Sequence, residues 1–335
     1  MEETQLKPNI VLVDFKLPKD WKFVEKLRES THQPWKGLEK VTNKYHGSKL
    51  QVVKRLFWYF IFPLQIVWQR NRFGKIVAWQ QFYGLNIAFF CRLFHLRKQN
   101  ELSVMTFIYK KKSGWLGNVY HQYMKYIVNS KYIDRFICFS KRECDYYPQL
   151  FGTSKERFVY LPIGIQPINC IDTSDHGYVF ATGRSNRDYE FLVNVMEGTD
   201  YRCVIACDSQ SLSGGGNVEW KKNCYGTEML ERMAHSHCVV IPLKDANISS
   251  GQLVMLQAMS LGKPVLCTDS EGISDYMTDE TTIMLPNNVE KWRMALQQLF
   301  TEHGMADKMG DAAQKLFYTH YTEDIMFENI TNCIK

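Results

Sequence analysis

The feature that most constrains this chain is an alternation that runs through its second half. Short apolar runs (YVFATG, YRCVIACD, HCVVIPL, KPVLCTD, TTIMLP) are separated by segments with helical spacing, such as RDYEFLVNVMEG, GTEMLERMAHS and VEKWRMALQQLFTE. Apolar runs of about four to eight residues suit strands buried on both faces, as in a parallel sheet covered by helices. The first half repeats the pattern less clearly. There NIVLVDF, KIVAWQ, LSVMTFIY, DRFICFS and RFVYLPIGI read as strands, and NVYHQYMKYIVNS and KRECDYYPQLFG as helices. A length of 335 residues fits two domains of about 150 residues each. The expected fold is α/β, two doubly wound, Rossmann-like parallel-sheet domains facing a cleft, spanning 1–165 and 166–315. The polar stretch QPINCIDTSDHG reads as the linker between them.

The charge is unevenly placed. Residues 49–75 carry Lys49, Lys54, Arg55, Arg70, Arg72 and Lys75 and no acid, around the aromatic run LFWYFIFPLQIVW at 56–68. That run is shorter than the ~18 residues needed to cross a bilayer, and Pro63 is expected to interrupt it. Basic residues flanking aromatic and apolar ones suit an anionic membrane surface. The opening MEETQLKPNIVLVDF does not resemble a signal peptide. Ten cysteines contain no CxxC, and several sit in apolar runs, which points to reduced, buried thiols and a reducing compartment. The expected location is cytoplasmic, peripheral on the inner face of the cell membrane. No recognition module or zinc pattern accompanies the positive charge, so nucleic acid is not an expected partner.

Two stretches carry anion chemistry. In SSGQLVMLQAMSLG, residues Ser249, Ser250, Gly251 and Gln252 lead into a helix. First-turn amides have no intrahelical acceptor, the dipole there is positive, and glycine lets an anion approach the backbone. Gln257, near Leu253 on the same face, offers an amide to a ribose hydroxyl. In ATGRSNRDYE, Gly183, Arg184 and Arg187 follow the first strand of the second domain, where two guanidinium groups could clamp a diphosphate. Other patterns carry less. SGGGN at 213–217 reads as a surface loop, and His235 and His237 read as a helix cap rather than a metal pair. No Asp-x-Asp is present, and no metal or cofactor is expected.

SSGQLVMLQAMSLGKPVLCTDSEGISDYM resembles the signature of the family 4 glycosyltransferases with the GT-B fold, roughly E-G-F-G-L-x-x-L-E-A-M-A-x-G-x-P-V-(x)3-D-x-G-G-x-x-E. IDRFICFSKRECDYY is similar to that family's D-x-(apolar)3-S-x-x-E, and RFVYLPIGI to its hinge, with Ile163 where Asn is usual. The closing segment, 316–335, is similar to the tail that packs back on the first domain. The resemblance implies transfer of a sugar from a nucleotide-diphosphate donor with retention, by front-face attack with the leaving phosphate as base. It implies that Gly251, Gln252 and Leu253 offer amides to the donor, and that Gln257 stands at the ribose contact. Arg184 and Arg187 would stabilise the departing diphosphate, and Asn223, Cys224 and Tyr225 would hold the nucleobase. Two departures stand out: the family's first Glu is Ser249 here, and its second is Gln257, while Asp275 keeps the last acid. Asp245 and Asn247 are candidates for the missing contacts to the sugar.

On the acceptor side, the stretch MTFIYKKKSG offers Tyr109, Lys110 and Lys112 where the family often has His. With the basic, aromatic first domain, this implies a saccharide acceptor held at a membrane by a polyprenyl diphosphate, as in capsule, exopolysaccharide or O-antigen assembly. Two other readings remain. The loss of both glutamates favours a non-catalytic partner subunit. A sugar-nucleotide epimerase would need paired carboxylates and histidines, which the motifs do not supply.

Overall fold

The structure, a computed structural model, describes residues 6–44, 48–169, 171–208 and 216–335. Cys170 and most of the glycine tract at 213–217 lie outside the described residues. The chain forms two compact units, Met1–Leu161 with Phe327–Lys335, and Pro162–Met326.

The first unit is a six-stranded parallel sheet. Its strands are β1 (Asn9–Val13), β2 (Trp35–Glu39), β3 (Ile76–Ala78), β4 (Leu102–Val104), β5 (Arg135–Cys138) and β6 (Phe158–Tyr160), in the order β2-β1-β3-β4-β5-β6. Strands β1, β3 and β4 are buried throughout, including the polar Asn9 and Ser103, as suits mostly apolar strands covered on both faces. The connecting helices are α1 (Lys22–Thr31), α2 (Lys49–Trp68), α3 (Gln81–Leu93), α4 (Gly114–Val128) and α5 (Lys141–Phe151).

Helix α2 corrects one expectation. It runs twenty residues straight through Pro63, and by length and composition it is long and apolar enough to cross a membrane. Proline at position 63 cannot donate to the carbonyl of Tyr59 four residues earlier, which normally breaks a helix. Here the buried Asn86 of α3 supplies the missing donor, its Nδ2 lying 2.7 Å from the Tyr59 oxygen. The other end of the same amide accepts from the Tyr123 hydroxyl of α4. One buried side chain thus repairs α2 and ties three helices together.

The second unit follows the expected alternation closely. Its strands are β7 (Tyr178–Thr182), β8 (Arg202–Ala206), β9 (Val218–Lys221), β10 (Cys238–Ile241), β11 (Val265–Thr268) and β12 (Thr282–Leu285). All pair in parallel, in the order β12-β11-β10-β7-β8-β9. Helices α6 (Tyr189–Met196), α7 (Gly226–Ala234), α8 (Gln252–Ser260), α9 (Glu271–Ser274), α10 (Val289–Thr301) and α11 (Met305–His320) cover it. Two apolar clusters, one on each face, hold the sheet. The last helix, α12 (Glu323–Ile334), begins in this unit. From Phe327 it belongs to the first unit, where the Phe327 ring lies 5.0 Å from Phe23. Among the described residues nine cysteines are free, and eight of them are buried.

Candidate functional site

In a doubly wound sheet, ligands bind beyond the carboxyl ends of the strands, where the strand order reverses. In the second unit that point lies between β7 and β10, since β8 and β9 extend one way and β11 and β12 the other. The loops leaving β7 and β10 are the two anion-friendly stretches of the sequence. The topology therefore brings Gly183–Arg184 and the Ser249–Gln252 segment to one place.

Gly251 heads α8 in the left-handed region, φ 98°. A Cβ there would lie 3.0 Å from both Ile241 Cγ2 and Ile273 Cδ1, so conformation and space both require glycine. The helix has no side-chain cap at its N-terminus. Gln252 turns its amide sideways: Nε2 donates to the Gly272 carbonyl at 3.0 Å and to the Ser249 hydroxyl. This neutral Ser249–Gln252 pair occupies ground where the resembling family carries Glu and Gly. Leu253 is exposed and Gln257 is half-buried one turn on.

Asn186, absent from the candidates read in the sequence, joins the two loops. It is a non-glycine residue at φ 56°. Its Nδ2 donates to the Asp245 carbonyl at 2.8 Å and to Ser250 Oγ at 2.9 Å. Its Oδ1 accepts the Asp245 N–H at 3.0 Å, and its carbonyl accepts the Lys244 N–H at 3.3 Å. The only sequence signal is an Asn in a turn, a residue that tolerates the left-handed region. The Asp245 carboxylate also accepts from the backbone and side-chain N–H groups of Asn247, at 2.9 and 3.1 Å. Both of these residues are exposed. Replacing Asn186 by glycine keeps the backbone conformation and removes the side-chain ties. Such bonds are worth about 0.5–1.5 kcal/mol each. We expect the melting temperature to fall by roughly 5 °C and nucleotide binding to weaken roughly tenfold, measured by thermal shift and calorimetric titration.

The two arginines do different things. Arg184 is exposed, and its guanidinium carbon sits 5.4 Å from the centre of the Tyr225 ring. Arg187, placed beside Arg184 in a diphosphate clamp by its sequence position, is turned inward in this structure. It is 7% exposed, and its guanidinium is spent on the turn itself, Nε to the Thr182 carbonyl at 3.0 Å and Nη1 to the Ser185 carbonyl at 2.9 Å. Burial holds its pKa below the ordinary arginine range. A Cβ on Gly183, φ 116°, would meet this guanidinium at 2.7 Å. Arg187 therefore shapes the turn that presents Arg184.

Beyond β9, Asn223 (φ 55°) gives its N–H to Asp208 at 2.7 Å. Cys224 is a core residue, its thiol pKa raised by burial, so it offers a ligand backbone only. Tyr225 is exposed beside Arg184. Asp275 caps the short α9 and is half-buried.

In the first unit the acceptor-side candidates separate. Tyr109 is buried, its hydroxyl 3.0 Å from His121 Nδ1 and its ring stacked on Tyr120, so it serves the core rather than a ligand. Lys110 and Lys112 are exposed, and the Lys112 ammonium lies 4.7 Å from the Tyr120 ring centre. At this sheet's own reversal point, between β1 and β3, Gln80 Nε2 donates to Asp14 Oδ2 at 3.0 Å. Asp14 follows directly on NIVLV, so its place at a strand end was available from the sequence. Among the described residues no group of three or more His, Cys, Asp or Glu could hold a metal ion.

Residues 181–316 match the family described as "Glycosyl transferases group 1". No curated protein matches the sequence. Among solved structures the chain is similar to HepE from Anabaena in complex with UDP-glucose, with a TM-score of 0.69 and 12% identity over 98% of this chain and 99% of that one. It is similar also to a glycosyltransferase from Rickettsia africae, with a TM-score of 0.67 and 10% identity over 98% and 97% of the two chains. Sucrose-phosphate synthase from Thermosynechococcus elongatus has a TM-score of 0.69 and 12% identity, with 98% of each chain covered. Identities this low establish the fold alone. The chain has the two-unit GT-B fold, and residues 181–316 of it are similar to the group 1 glycosyl transferases.

Proposed function

We propose that the protein transfers a sugar from a nucleotide-diphosphate donor to a lipid-linked saccharide, with retention and without a metal ion. The observation that carries this reading is the pairing at the β7/β10 reversal. Unblocked first-turn amides of α8 and the exposed Arg184 converge there, with Tyr225 beside the guanidinium. A departing diphosphate needs preorganised dipoles and cations more than a protein nucleophile. The α8 amides would hold its oxygens, Arg184 would take its developing charge, and Tyr225 would flank the base. The Ser249–Gln252 pair and Gln257 would meet the sugar and ribose by neutral hydrogen bonds. That an Anabaena protein of the same fold is solved with UDP-glucose agrees with this assignment. The basic first unit favours an acceptor on the inner face of a cell membrane, in capsule, exopolysaccharide or O-antigen synthesis.

The test is a melting panel with UDP, GDP, ADP and dTDP and their sugars. A ligand at 100 times its Kd adds ~2.7 kcal/mol of stability. Selective stabilisation by one nucleotide, lost in Arg184→Ala, is the expected result. No shift with any nucleotide would overturn the reading. Ser249 and Gln257, standing where two glutamates are usual, favour a second reading, a non-catalytic donor-binding subunit. It predicts the same melting shift with no sugar released or transferred.

A further inference from the structure

Glu101 is the only carboxylate between Lys40 and Ile133, a stretch with sixteen lysines and arginines. The whole chain has a formal net charge of only +6, so the rest of the protein is net acidic. Glu101 itself is spent on Lys75, at 3.2 Å, and on Arg135. This stretch contains α2, α3 and α4, and they form one platform. Tyr59 of α2 stacks on Phe82 of α3 at 5.1 Å, and Phe89 of α3 meets Tyr123 of α4 at 5.3 Å. The Asn86 bridge locks all three.

The platform's outer side is apolar. Leu50, Val53, Phe57 and Phe60 recur at i, i+3, i+7 and i+10 along α2, and all are exposed. At the start of α4, Trp115 is 73% exposed and Leu116 64%. Lys49, Lys111 and Lys125 stand exposed on the same helices or just before them. Monomeric proteins seldom leave so many large apolar side chains in water without a partner for them.

We propose that this three-helix face seats the first unit on an anionic lipid bilayer, its aromatic and aliphatic side chains at headgroup depth and its lysines on the lipid phosphates. Charge selects this occupant. A second copy of the chain would bring the same basic surface against itself, whereas an anionic leaflet is complementary to it. Helix α2 lies along the surface rather than across it. Its inner side, with Tyr59, Phe62, Pro63, Ile66 and Val67, is buried in the unit's core, and a spanning pose would pull those residues out. The proposal deepens the lipid-linked acceptor reading and rests on it only for its purpose. Vesicle binding is read without sugar transfer, so either can fail alone.

The experiment is co-sedimentation of the full chain with phosphatidylcholine vesicles, with and without phosphatidylglycerol. The expected result is pelleting only with phosphatidylglycerol, weakening as salt rises. Each basic side chain near such a surface contributes about fivefold. Lys49→Gln/Lys111→Gln/Lys125→Gln should therefore bind on the order of 100-fold more weakly. Val53→Ser/Phe57→Ser/Trp115→Ser should lose pelleting while keeping the wild-type circular dichroism spectrum and melting temperature. Equal pelleting with pure phosphatidylcholine, no pelleting at all, or serine variants that pellet like wild type would overturn the proposal. So would a dimer in solution that the serine variant abolishes while neither protein pellets.

Discussion

Arg184→Ala should slow sugar transfer by about 100-fold or more and leave the melting temperature of the free protein unchanged. The structure separates these two effects. The Arg184 side chain is exposed and touches the Tyr225 ring, so its removal opens no cavity and leaves no buried group without a partner. On the proposed reaction, what it removes is the cation of the loop that meets the head of α8, where negative charge would grow as the diphosphate departs. A single preorganised contact of that kind is worth ~3–4 kcal/mol in the transition state. The loss should appear in both KM and kcat, because the same cation would hold the ground-state diphosphate that the melting panel reads and the charge that grows on it in the transition state. Arg184→Lys keeps a charge but not the planar fork, and should recover only part of the rate. Steady-state kinetics with the donor chosen by the melting panel measures this. Wild-type kcat in Arg184→Ala would remove the residue from the mechanism.

How much of this was legible in the sequence depended on what each segment's pattern encodes. In the second unit five of the six strands are short, largely apolar runs, and the sixth, β9 (VEWK), alternates apolar and charged residues; all six lie where the sequence reading put a strand. Gly251 announced itself, because a glycine between a buried strand and a helix has few other reasons to be there. The first unit was harder. β2 is WKGLE, in which only Trp35 is buried, so it shows no apolar run. Helix α3, QFYGLNIAFFCRL, is apolar nearly all round because it is sandwiched between the sheet, α2 and α4, and it has no polar stripe to mark it as a helix. Pro63 signals a break by local rules, and only Asn86, twenty-three residues later, removes that signal. At the site, the sequence places Arg184 and Arg187 as equals. Burial separates them, and burial depends on which carbonyls the turn leaves pointing inward. Asn186 was invisible for the same reason, since its partners lie on a loop some sixty residues away.

Arg187→Ala should therefore behave as a folding variant, lowering the melting temperature of the second unit by roughly 10 °C. Truncation leaves the Thr182 and Ser185 carbonyls without their donors, at about 1–3 kcal/mol each, and empties the space against Gly183. For a unit of this size each kcal/mol shifts the transition by about 2–4 °C. The buried guanidinium is not itself a large stabiliser, because desolvation works against its charge, as its lowered pKa indicates. Arg187→Met, which fills the space without a charge, should thus be milder than Arg187→Ala while still losing both hydrogen bonds. On the proposed reading a saturating nucleotide would hold the same turn from the other side, and it should restore part of the melting temperature. Calorimetry of the two variants, with kcat corrected for the folded fraction, tests the assignment. A normal melting temperature combined with a 100-fold loss of transfer would put the Arg187 guanidinium on the diphosphate after all, and would mean that this turn opens when donor binds.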